Sequence, residues 1–294
     1  MEKILEVKNL VKHYGNILAV RDVSFSIPEG ICFGLLGPNG AGKTTALEAI
    51  ENIIRPTSGE ILYRGRPRDS RFNEEVGIQF QETSVLSFLS VKETLDVFRK
   101  MYNRTLEMEK VIETCHLGEI LGQYNDRISG GQKQRLMLAL AIINDPSLIF
   151  LDEPSTGMDP QNRRNLWEII KNIKKEGKTI ILTTHYMEEA AYLCDLVAVM
   201  DHGVIIAQGS PEDLVRQYAK HVTVVLPKSS IAGRAGSVSF GYYELENYIE
   251  IQTDDINSCI KELLENQIDL RDMTVRSPDL EDVFIHLTGR RLRE

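Results

Sequence analysis

ICFGLLGPNGAGKTTALEAIENII, residues 31–54, decides the fold. Its first seven residues form an apolar run of strand length. Its last eleven place Leu47, Ile50, Ile53 and Ile54 at helical spacing ahead of Pro56, so the pattern predicts a strand, a glycine-rich turn and a helix over 44–54. The turn from Gly37 to Thr45 satisfies G-x-x-x-x-G-K-[ST]. Glycines in that pattern let consecutive backbone N–H groups turn toward phosphate oxygens. The lysine at 43 then reaches the outer phosphates, Thr44 offers a hydroxyl to Mg²⁺, and the positive end of the helix faces the same anion. A phosphate site for a nucleotide follows from the motif and its strand–turn–helix setting.

Outward from this stretch the chain reads as α/β up to about residue 218. ILEVKNLVKHY and AVRDVSFSI upstream pattern as paired strands. Downstream, residues 147–152, 178–185 and 196–203 are nearly continuous apolar runs, as in a parallel sheet covered on both faces, and the helical runs 132–143 and 160–175 are long enough to cross over between them. Beyond 218 the pattern changes to HVTVVLP and YIEIQT, separated by a glycine- and serine-rich stretch, then a helix over 255–268, a strand in LRDMTVRS and a last amphipathic helix after Ser277-Pro278. A small α+β domain over 219–294 is expected there.

Two further motifs carry chemistry. The strand LIFLDE ends in Asp152 and Glu153, at the strand end where ligands bind in such sheets. Asp152 is placed to hold Mg²⁺, and Glu153 to polarise an attacking water. Ser129-Gly130-Gly131-Gln132 opens a long helix, where Ser129 can cap and the glycines expose backbone donors, a second anion grip that points to a partner chain. Gln81 follows the strand-like VGIQF, His185 ends the run KTIILTTH, and Tyr14 offers an aromatic face; residue type alone does not decide what these three do.

Composition bounds the rest. The 34 basic and 43 acidic residues give a net charge of −9, the wrong sign for a protein whose main task is gripping nucleic acid, so no nucleic-acid partner is expected. No apolar run approaches the ~20 residues of a spanning helix. The N-terminus has no secretion-signal pattern, and the four cysteines have no C-x-x-C pair, so the chain is expected in a reducing cytoplasm.

In order, these residues resemble the ATP-binding cassette family: GPNGAGKTT, Gln81, ISGGQ, LIFLDE, the loop Ser155-Thr156-Gly157-Met158-Asp159, and His185. The resemblance spans residues 3 to about 215. It implies a P-loop cassette with an antiparallel β subdomain and a helical subdomain over about 82–145. Tyr14 would stack on adenine, and Asn39, Gly40, Ala41, Gly42, Lys43, Thr44 and Thr45 would wrap the phosphates of ATP. Thr44, Gln81 and Asp152 would attend Mg²⁺, with Glu153, His185 and Gln81 at the reaction centre. Ser129, Gly131, Gln132 and Asp159 would meet the nucleotide of an opposing cassette, either a second copy or a homologue. Isoleucine at 128 and TGMD in the loop before Pro160 depart slightly from the common pattern and remove no polar group. The TGMDP and THYMEEA stretches and the ending DLEDVFIHLTGR are similar to the daunorubicin-resistance-like ATPase subunits of type-2 exporters. That likeness implies a separate membrane permease and a peripheral place on the cytoplasmic face of the membrane. An importer ATPase and a soluble adaptor cassette are the alternatives.

Overall fold

The computed structural model describes residues 2–80, 85–219, 221–231 and 239–289. Strands β1 (Lys3–Tyr14) and β2 (Ile17–Pro28) pair antiparallel, and β3 (Cys32–Leu36) runs into the glycine-rich turn and α1 (Lys43–Ile50). β4 (Ser58–Tyr63) pairs with β1, and the short β5 (Arg66–Pro67) with β4. After α2 (Ser70–Glu75) and β6 (Val76–Gln79) come the helices α3 (Val91–Arg99), α4 (Met108–Thr114) and α5 (Gly130–Ile142). The chain then alternates through β7 (Leu148–Asp152), α6 (Pro160–Lys175), β8 (Thr179–Thr184), α7 (Met187–Leu193), β9 (Leu196–Asp201) and β10 (Val204–Gly209).

A second compact unit begins at Glu212, one helix earlier than the expected division near 218. It contains most of α8 (Pro211–Tyr218), then β11 (Val222–Pro227), the single turn α9 (Lys228–Ile231), β12 (Tyr242–Glu244), β13 (Tyr248–Thr253), α10 (Ile256–Glu265), β14 (Thr274–Arg276) and α11 (Leu280–Thr288). Its antiparallel sheet, in the order β12-β13-β11-β14, buries Val224, Leu226, Ile249 and Ile251 with Cys259 and Leu263 of α10.

In the first unit β9, β3, β8, β7 and β6 run parallel, with β10 antiparallel at one edge. Every residue of β3, β7 and β8 is buried, which is why those runs are apolar without alternation. The antiparallel sheet packs against this one with Phe25 stacked on Phe33 at 5.0 Å, and Phe72 of α2 lies edge-on to Phe150 at 6.4 Å. Phe33 and Phe150 are fully enclosed, and each such burial contributes about 2–3 kcal/mol. No helix of the described residues is long and apolar enough to cross a membrane.

Two element boundaries differ from the sequence reading. The helix expected over 44–54 stops at Ile50, because Asn52 takes a left-handed backbone (φ 70°) and the N–H groups of Ile53 and Ile54 fold back onto the Glu48 carbonyl. The LRDMTVRS strand shrinks to Thr274–Arg276, where β14 makes its pairs to β11. The expected helical subdomain is represented by α3, α4 and α5 among the described residues.

Candidate functional site

The register of the parallel sheet gathers the site at one edge. Leu36 lies beside Thr184 and Asp152 beside Thr183, so the segments leaving β3, β8 and β7 emerge side by side at the carboxyl ends of their strands. From β3 the chain enters the turn 37–42, which is pinned from below. Gly203 donates its N–H to the Ala41 carbonyl at 2.9 Å, and a Cβ on Gly42 would stand 2.3 Å from the Ala19 carbonyl oxygen. With φ at 97° as well, position 42 accepts only glycine. Ala41 is buried and donates its N–H to the Pro38 carbonyl at 3.1 Å within the turn.

Lys43 is 6% exposed, and its ammonium donates to the carbonyls of Gly37 at 2.8 Å and Pro38 at 3.1 Å. Burial lowers its pKa, and the carboxylates of Glu153 and Asp152 act in the opposite sense. The helix that starts at Lys43 has no side-chain cap, so its first N–H groups, including those of Thr44 and Thr45, are left for an external acceptor. Asn39, Gly40 and Thr44 are exposed beside them. An uncapped helix start, a buried cation and a turn that excludes a Cβ at positions 37 and 42 form a donor set that fits a nucleotide's phosphates.

Asp152, 8% exposed, has its carboxyl raised in pKa by burial and receives the Thr183 hydroxyl. Thr44 and Asp152 are the described residues that would hold a divalent cation. With so few protein ligands such an ion is completed by phosphate oxygens and water. Glu153 has a left-handed backbone (φ 48°), an unfavourable conformation for a side chain of this kind. It is stabilised by Thr183, whose hydroxyl and carbonyl both accept the Glu153 N–H, at 3.1 and 3.2 Å. The Glu153 carboxylate lies 3.2 Å from His185 Nδ1 and accepts the Thr156 hydroxyl at 3.0 Å, and these contacts hold its pKa below the usual carboxylate value. His185, which ends its run as expected, is half-buried against Tyr186.

The remaining expected residues lie on other elements. Ser129 and Gln132 close a capping box at the start of α5: Ser129 Oγ accepts the Gln132 N–H at 3.3 Å, and Gln132 Oε1 accepts the Ser129 N–H at 2.8 Å. Asp159 caps α6 by accepting from the backbones of Gln161 and Asn162, and Asn162 in turn packs against Gly131. Tyr14 is 46% exposed at the end of β1 with the Lys12 ammonium 4.9 Å from its ring centre. Gln81 lies outside the described residues.

Three contributors carry no sequence motif. Thr183 donates its hydroxyl to the Asp152 carboxylate and accepts the Glu153 backbone N–H, Thr156 orients the Glu153 carboxylate, and fully buried Glu189 accepts the Trp167 indole N–H at 2.7 Å. Only the position of Thr183, beside Asp152 in the register, offered a signal.

The family model for ABC transporters matches residues 20–156. Over 99% of this chain and 98% of its own length, the Nod factor export ATP-binding protein I of Bradyrhizobium diazoefficiens is 35% identical. The chain belongs to the ABC transporter ATPases. The linearmycin resistance ATP-binding protein LnrL of Bacillus subtilis is 33% identical over 99% of this ABC ATPase and 100% of its own length. Among solved structures, cbiO1 of Clostridium perfringens, part of the transporter complex cbiONQ, superimposes with a TM-score of 0.66 at 28% identity over 74% of this chain and 92% of that one. Another, an ATP-binding subunit of an ABC transporter, gives 0.65 at 27% over 73% and 93%.

Proposed function

We propose that this ATPase is the motor subunit of an exporter: it closes head to tail on a second cassette, its own copy or a homologue, around two Mg-ATP molecules, and drives a separate membrane permease. The observation that carries the reading is the Glu153 carboxylate, kept ionised by His185 and Thr156 one residue beyond the buried Asp152 and within the electrostatic reach of Lys43. The export and resistance functions in the names of its relatives support the outward direction over import or a soluble adaptor role.

Bound Mg-ATP supplies the electrophilic phosphorus and a cation that spreads the developing charge. Glu153 orients water and accepts its proton, and His185 fixes the carboxylate and contacts the outer phosphate. Lys43 exchanges the Gly37 and Pro38 carbonyls for phosphate oxygens. Asn39, Gly40, Ala41, Gly42 and Thr45 line the phosphates, and Tyr14 stacks on the adenine. Thr44, Asp152 and Gln81 attend the metal. Ser129, Gly131 and Gln132 of one cassette reach the nucleotide of the other, with Asp159 at the seam. The unit from Glu212 onward is an accessory domain, and the assembly sits on the cytoplasmic face of the membrane.

Glu153→Gln tests this. The variant is expected to bind Mg-ATP, lose hydrolysis by about 10²–10⁴-fold as a positioned base is removed, and elute as an ATP-dependent dimer. It should also retain a polytopic membrane protein in a pull-down from detergent-solubilised membranes. Hydrolysis at the wild-type rate would reject Glu153 as the base, and recovery of soluble proteins alone would reject the permease.

A further inference from the structure

Helix α6 carries two side chains that reach the segment holding His185. The Arg163 guanidinium lies over two rings, 4.5 Å from the centre of Tyr186 and 5.6 Å from that of Trp167, and the Tyr186 ring stands 4.1 Å from the His185 imidazole. One turn on from Arg163, the Trp167 indole N–H reaches Oε1 of Glu189 in α7. Both chain neighbours of His185 are held as well. Thr184 Oγ1 accepts the Tyr186 N–H at 2.9 Å, and the Tyr186 carbonyl accepts the N–H groups of Glu189 and Ala190 at 3.1 and 3.2 Å. A shift of Glu189 is therefore passed to the backbone on either side of His185.

Glu189 has a bond still to make. It is fully buried, and its Oε2 atom is enclosed without a hydrogen-bond partner among the described residues. The same holds for Oγ of Ser155, also fully buried, which faces this carboxyl together with Thr184. Two enclosed polar atoms left unbonded are costly, and a small approach of one to the other removes the cost. Ser155 opens the loop that leads to Asp159 and α6, and its carbonyl accepts the Met158 N–H at 3.3 Å within that loop. We propose that Glu189 is a positioning residue for hydrolysis: pressure of the opposing cassette on the loop 155–159 brings the Ser155 hydroxyl onto Glu189 Oε2, and the carboxyl, through the Thr184–Tyr186 backbone, sets His185 against Glu153. The inference rests on the head-to-tail closure proposed above and adds the side chains by which closure reaches the reaction centre.

Trp167, the only tryptophan, reports on this carboxyl directly, because its indole bonds to the other oxygen. In the full-length Glu153→Gln chain, Mg-ATP should change the Trp167 emission in step with the dimer seen by light scattering, and adding Ser155→Ala should abolish the emission change while the dimer still forms. An emission unchanged by dimerisation, a change that survives Ser155→Ala, or loss of the dimer on adding Ser155→Ala overturns the coupling and leaves the motor reading standing. Absence of any ATP-dependent dimer of the Glu153→Gln chain overturns the closure itself. Kinetics separate positioning from stability. With Glu153 intact, Ser155→Ala and Glu189→Leu should each lower kcat by about 10- to 100-fold, the cost of a reacting group displaced by about 1 Å, while KM for ATP stays within about twofold. Glu189→Gln, which keeps an oxygen for Trp167 and a polar group toward Ser155, should restore most of the rate that Glu189→Leu loses. In a His185→Ala background, Glu189→Leu should cost less than about a further twofold, because the two residues act as one unit. Losses that multiply in that background, or a wild-type kcat for Ser155→Ala, overturn the proposal. Where Glu189→Leu fails to fold, Ser155→Ala carries the same test, since it leaves the Trp167 bond in place.

Discussion

Glu51 makes the stability of the isolated chain depend on pH in a way that can be worked out from its surroundings. The carboxyl ionises near 4.5 when free and near 8 in the fold, where burial is the main cause and Asp152 and Glu48 add to it. Between those values the folded chain binds more protons than the unfolded one. The contribution is therefore fully favourable below about pH 4.5 and is lost as pH rises through about 8. From pH 5 to pH 8 the loss is on the order of 3 kcal/mol at 1.36 kcal/mol per pH unit. For a unit of this size that corresponds to a fall in Tm of about 6–12 °C. Glu51→Gln keeps the shape and removes the titration. Thermal unfolding of wild type and variant, each followed at pH 5, 6, 7 and 8 through the transition of the larger unit, isolates this group, because all other titrating residues are common to both. The Tm of the variant minus that of the wild type should widen by about 6–12 °C across the range. A difference that stays constant with pH would show that the carboxyl is solvated or paired, and would refute the reasoning.

Three other perturbations follow from the site. Lys43→Ala removes the cation that now bridges the Gly37 and Pro38 carbonyls, and nucleotide affinity measured by titration should fall at least about a hundredfold, as the loss of a charge-assisted contact to phosphate implies; unchanged affinity would reject the phosphate-turn reading. Thr183→Val takes the hydroxyl from both Asp152 and the Glu153 N–H. Chemical denaturation should report a loss of about 1–3 kcal/mol and the ATPase rate should drop, whereas wild-type values in both would mean that neighbouring groups replace the hydroxyl. Glu189→Leu strips the acceptor from Trp167, the only tryptophan, so its fluorescence should shift and stability should fall by about 1–3 kcal/mol. Burial raises the pKa of Glu189, so Glu189→Gln, which resembles the protonated acid, should stay near wild type in both readouts, and a large loss there would argue for a carboxylate.

The phosphate turn, the acid pair ending β7, the Ser129 cap and the parallel strands could be read directly from the residues, because each depends on local chemistry. A turn that requires a positive φ selects glycine at 42, a strand buried on both faces selects an unbroken apolar run such as Ile149–Leu151, and a helix start selects Ser129 with Gln132 three residues on. The early stop of α1 was not readable, since Ile53 and Ile54 continue the helical spacing and only the left-handed Asn52 ends it. Glu51 shows the same limit more sharply. In sequence it is one acid among 43 acidic residues, in a helix whose pattern places it no differently from Glu48. What encloses it are β6, α3 and α5, drawn from residues 76–142, and desolvation is a property of every atom packed nearby rather than of the residue or its neighbours in the chain. The same holds for Thr183 and Glu189, whose partners Asp152 and Trp167 lie 31 and 22 residues away. Sequence by itself determined the fold class and the glycine-rich turn between β3 and α1, through backbone conformations that tolerate few side chains. Only the tertiary structure decided which carboxyls keep their protons and which enclosed acceptors are left to satisfy, because charge in a protein is governed by what surrounds it in space.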